Sequence, residues 1–139
     1  MNWKLVLTLS LFGLAMGIAT VYFIPSGVEP LLWLAIFVIC AYAVARDGTQ
    51  RRFLTGLSIG IVNSIWVTGA HVLLFDRYLA GHAREAAMMQ SMPLPQSPRL
   101  MMVLTGPVIG VISGIVIGAL CVIAGKFIGR KPQGVAPPI

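Results

Sequence analysis

An all-α integral membrane bundle of four antiparallel transmembrane helices is what this sequence predicts, and three observations predict it. Of 139 residues, 58% are hydrophobic and 10% charged, against about 45–50% and about 25% in soluble domains, and mean hydropathy is +0.90. A soluble chain of this length has no interior large enough for so much apolar surface, so the solvent is lipid. The apolar residues also fall into four long runs that contain no Asp, Glu, Lys or Arg. Finally, small residues recur at every fourth position in two of those runs, the pattern that lets helices approach closely in hydrocarbon.

The first run, Leu5 to Ile24, follows Lys4 and closes at Pro25-Ser26-Gly27. It exceeds the roughly 7–15 apolar residues of a signal-peptide core and so reads as an uncleaved first span, 5–24. The second, Leu31 to Ala45, covers only about 22 Å at the helical rise per residue. Glu29-Pro30 opens it with a first-turn proline and an acid at the positive end of the helix dipole. A start at Glu29 gives a second span at 29–45. The third run, Phe53 to Phe75, and the fourth, Leu100 to Gly125, are each long enough for a hydrocarbon core of about 30 Å. Between them lies the one long loop, 76–99. Its stretch "HAREAAMMQSM" is rich in helix formers and predicts a short amphipathic helix at the outer surface. "MPLPQSP" cannot continue that helix and reads as extended. The four-helix domain is thus placed at 1–131, with a Pro/Gly-rich mobile tail at 132–139.

Charge sets the orientation. Lys4, Arg46, Arg51, Arg52, Lys126, Arg130 and Lys131 fall on one side of the four spans, and Arg77, Arg84 and Arg99 on the other. The positive-inside rule puts both termini in the cytoplasm. The net charge of +6 is carried by these polar breaks and not by a basic stripe interleaved with aromatics, so nucleic acid is not an expected partner. Lipid is, with other membrane proteins or a second copy of the chain as further candidates.

Gly106, Gly110, Gly114 and Gly118 make a continuous furrow along the fourth span, and Gly56, Gly60, Ser64 and Thr68 a matching line on the third. Gly13 and Gly17 form a shorter line on the first. Two complementary furrows on consecutive spans predict close packing within the chain, ahead of a homo-oligomer interface or a narrow backbone-lined path. Pro107 removes the hydrogen bond to the Val103 carbonyl and predicts a bend, with Thr105 or Ser113 answering what it frees.

Few residues could carry chemistry. Asn63 in the third span and Ser113 in the fourth sit at similar depth and predict an interhelical hydrogen bond; the functional alternative is contact with a passing solute. His71 shares a face with Gly60, Ser64 and Thr68 and could switch protonation, although it falls near the interface, where water and headgroups satisfy it. His82 and Glu85 are three apart on the loop helix, and Met88, Met89 and Met92, with Met101 and Met102, flank the same loop. Thioethers suit Cu(I), so Met88, Met89, Met92 and His82 are the candidate metal set. Without a repeated Met-x-x-Met array, a flexible apolar face is the preferred reading of these methionines. Cys40 and Cys121 lie inside apolar runs and read as small buried hydrophobes. No phosphate-cradling glycine loop, HExxH or Ser/His/Asp set occurs, so neither catalysis nor a cofactor is expected.

The segments "RRFLTGLSIGIVNSIW", "LLFDRYL", "AAMMQSM" and "SPRLMMVLTGPVIGVISG" resemble an uncharacterised bacterial family, a four-span membrane domain of unknown function. The resemblance covers about half the chain, whose outer loop is shorter than the family's. It implies four spans in a bacterial inner membrane and brings no activity. The expected function is therefore a non-enzymatic inner-membrane protein, an accessory or assembly subunit or a homo-oligomer. The alternative is a small-solute or ion conduit formed by an oligomer, and a lesser one is Cu(I) handling by the Met-rich loop on the periplasmic side.

Overall fold

Every regular element in the computed structural model, which describes residues 2–24, 27–91 and 97–128, is helical. The helices are α1 (Trp3–Tyr22), α2 (Glu29–Asp47), α3 (Arg52–Leu73), α4 (Phe75–Gly81), α5 (Ala83–Gln90) and α6 (Pro98–Ile128). Four of them, α1, α2, α3 and α6, are long and apolar enough to cross a membrane. Their surfaces fit a multi-pass membrane protein: Leu31, Leu34, Ile65, Val108, Ile109 and Phe127 are all exposed. The mobile tail expected at 132–139 lies outside the described residues, as does the stretch read as extended apart from Ser97 and Pro98, and Pro98 already belongs to α6.

Local chemistry explains where the helices start and stop. The Asn2 side chain caps α1 by accepting from the Leu5 N–H at 3.2 Å, and its Nδ2 donates to Asp47 Oδ1 at 3.2 Å, tying the start of α1 to the end of α2. Pro30 sits in the first turn of α2, and Gly48, with φ of 77°, ends that helix in the left-handed region only glycine enters freely. With 19 residues, α2 spans about 28 Å, which answers the shortness of its apolar run.

Two elements differ from expectation. The third helix stops at Leu73, and after a turn at Leu74 the residues assigned to its last turn begin α4. Burial drives that break, because α4 tucks Phe75 and Tyr78 inside, where a straight α3 would carry them past the bundle. The fourth helix is longer than its apolar core, with 31 residues from Pro98 to Ile128, or about 46 Å. Pro107 does not end it. The Thr105 hydroxyl donates to the Met101 carbonyl at 2.8 Å, and so does not answer the Val103 carbonyl that Pro107 frees.

α3 packs against α1 and α6, whereas α2 rests mainly on α6 and meets α3 only sparsely. The core runs through Val6, Leu9, Met16, Ile36, Cys40, Ala41, Val44, Ile59, Ile117 and Cys121. Both cysteines are free and fully enclosed.

Candidate functional site

Small residues bring α3 and α6 together backbone to backbone. Gly56 faces Gly118, Gly60 faces Gly114, Ser64 faces Gly110 and Thr68 faces Gly106, so numbers rise along one helix as they fall along the other. A methyl group has no room there: a Cβ on Gly114 would lie 2.6 Å from the Leu57 carbonyl oxygen, and one on Gly56 2.6 Å from the Gly118 Cα. On an adjoining face of α3, Gly13 of α1 sits against Asn63 and Gly17 against Val67 and Ala70.

The sparse contact between α2 and α3 leaves a cavity of about 710 Å³, within the size range of small-molecule sites. Glu29, Trp33 and Phe37 of α2 form one wall, and Asn63, Ser64, Thr68 and His71 of α3 the facing one. Thr105, Ile109 and Ser113 of α6 form its floor, with Tyr78 of α4, Met88 of α5 and Met102 of α6 also on the lining. Four residues singled out for a polar contact or path, Asn63, Thr68, His71 and Ser113, therefore line one space. Ser64 and Gly60 join them.

The polar groups around it are tied in specific ways. Asn63 does not bond Ser113; its Oδ1 accepts from the Gly13 N–H of α1 at 3.2 Å. The Asn63 side chain turns toward the glycine that lets α1 approach, leaving the Ser113 hydroxyl to the cavity lining. Its Nδ2 is buried and has no hydrogen-bond partner. His71 is buried too, in place of the water-satisfied interface position expected of it, and its Nε2 lies 2.8 Å from Thr20 Oγ1. Thr20 Oγ1 also stands 3.2 Å from the Gly17 carbonyl, so this hydroxyl links His71 to the backbone of α1.

His71, Tyr78 and His82 form a buried three-ring stack, with centroids 4.1 Å apart for His71 and Tyr78 and 4.2 Å for Tyr78 and His82. His82 Nδ1–H donates to the Tyr78 carbonyl at 2.8 Å, and its Nε2 is buried without a partner beside a smaller cavity of about 210 Å³. This geometry separates the candidate copper ligands. His82 lines the small cavity, whereas Met88 lines the large one. The Met89 side chain and Met92 lie outside the described residues, as does the Glu85 side chain. Among the described residues no group of three or more His, Cys, Asp or Glu converges on a metal position.

Sequence reasoning missed Glu29, Trp33, Phe37 and Tyr78 as part of this site. Glu29 was legible only as a dipole-compatible acid, although its indole partner stands one turn on: Trp33 Nε1 donates to Glu29 Oε1 at 3.2 Å. Comparison of the chain with family models, with curated proteins and with solved structures finds no match.

Proposed function

We propose that this chain is a non-enzymatic, multi-pass protein of a bacterial inner membrane that takes a small, largely apolar solute into the cavity between α2, α3 and α6. In this reading the four spans are antiparallel, both termini are cytoplasmic, and the cavity opens toward the outer half of the bilayer. The observation that carries it is the gathering of mid-helix polar residues (Asn63, Ser64, Thr68, Ser113) onto one cavity of ligand size walled by aromatic and thioether side chains. Polar residues at such depth are costly unless they have work or partners. The positive-inside count supports the orientation. The resemblance of the second half to a four-span family suggests the membrane, but with no family model matching it carries none of the solute reading.

Oligomeric conduction through the same polar face, and an accessory or assembly role, rank after this reading. The furrows that would have offered a partner surface are occupied inside the chain, which favours a self-contained site. Thiol accessibility tests the proposal. Thr105→Cys, on the cavity floor, is expected to react with a water-soluble methanethiosulfonate added to right-side-out vesicles. Val108→Cys, on an exposed apolar face of the same helix, is expected to stay silent because a thiol in lipid does not ionise. Silence at both positions would sink the reading.

A further inference from the structure

The cavity's charge runs against that of the chain. The protein carries a formal net charge of +6, yet among the described residues no Lys or Arg lines the cavity and Glu29 is the one formal charge on its wall. Two cations near the same end are engaged elsewhere: Arg77 lies 5.0 Å over the Tyr22 ring, and Arg99 5.0 Å over Phe75 and 3.9 Å from Asp76; the Arg84 side chain lies outside the described residues. Glu29 is half-buried and fixed by the Trp33 indole, with Phe37 next to that ring at 6.0 Å. Aromatic faces beside a carboxylate attract a positive group twice over, by charge and by ring quadrupole.

We propose that the occupant is a free organic monocation with an apolar body: its charged head at Glu29 and its body along Trp33, Phe37 and Ile109. This rests on the reading of the cavity as a solute site. A zwitterionic phospholipid fits less well, since among the described residues no Lys or Arg lines the cavity to meet its phosphate. A divalent metal ion would find a single carboxylate.

Three benzophenones of one shape test the charge: the cation (4-benzoylbenzyl)trimethylammonium, neutral 4-neopentylbenzophenone and anionic 4-benzoylphenylacetate. Each is photo-crosslinked to the purified protein in non-ionic detergent, and mass spectrometry locates the adducts. The cation is expected to label Met88 or Met102 saturably, at least about tenfold more tightly than the neutral probe. Glu29→Gln, which keeps an oxygen for the Trp33 indole, is expected to abolish that preference and leave neutral binding unchanged. Equal affinities for cation and neutral probe, untouched by Glu29→Gln, overturn the monocation and leave the solute site standing. Labelling of the cavity by none of the three overturns both. Displacement of the cation by dispersed dioleoylphosphatidylethanolamine assigns the site to a lipid headgroup and overturns the free cation.

Discussion

The two halves of α2 behave differently although both are apolar. Its C-terminal half buries Cys40, Ala41, Val44 and Ala45 in the common core, where small side chains let the helix close on Ile117 and Cys121. Its N-terminal half sends Ile36 into the same core, but its larger Trp33 and Phe37 only rest against that core and turn part of their surface to the cavity. The α3–α6 contact is the limiting case of the first kind, with glycine against glycine. In lipid, where apolar surface gains little from burial, side-chain size decides where helices touch. Bulk holds them apart, and the space left over becomes a site.

The largest expected effect breaks the closed half. Gly114→Leu forces a side chain into the Leu57 backbone and Leu57 Cδ1 and is expected to cost more than about 3 kcal/mol, read as loss of folded protein on size exclusion or a collapsed Tm. Gly69→Ala is its control: a Cβ there meets nothing within 4 Å, so Tm should hold or rise slightly.

The next prediction closes the open half. Ser113→Phe places a ring in the cavity and is expected to remove benzophenone labelling while Tm falls by no more than a few degrees. A large loss of stability would mean that α2 and α3 are closer than the cavity implies.

Smaller effects sharpen the comparison at the joints. Thr20→Val leaves His71 Nε2 without its hydroxyl partner at a buried site, an expected loss of about 1–3 kcal/mol by thermal unfolding in detergent. That loss should vanish in a His71→Phe background, as a double-mutant cycle would report. Asn63→Leu removes both the bond to Gly13 and the unpartnered Nδ2. These oppose each other, so stability should change by less than about 1 kcal/mol by the same unfolding measurement.

Much of this was legible from residue order alone. Runs without charge located four spans, and a spacing of four put Gly56, Gly60, Ser64 and Thr68 on one side of a helix. The same periodicity placed His71 on that side as well. What spacing cannot supply is the neighbour across the gap. Asn63 found Gly13 and not Ser113 because the approach of α1 to α3 is a tertiary fact. Glu29, Trp33 and Phe37 joined the site only because α2 leans on α6 and away from α3. The turn at Leu74 carries no glycine or proline, so nothing local announces it; the burial of Phe75 and Tyr78 does.

Cys40 and Cys121 have no accessible surface at all. Their enclosure makes the native chain a ready background for spectroscopy. A spin label or fluorophore attached through one engineered thiol on any helix would report from that place alone, with both natural sulfurs left untouched and the packing around them undisturbed.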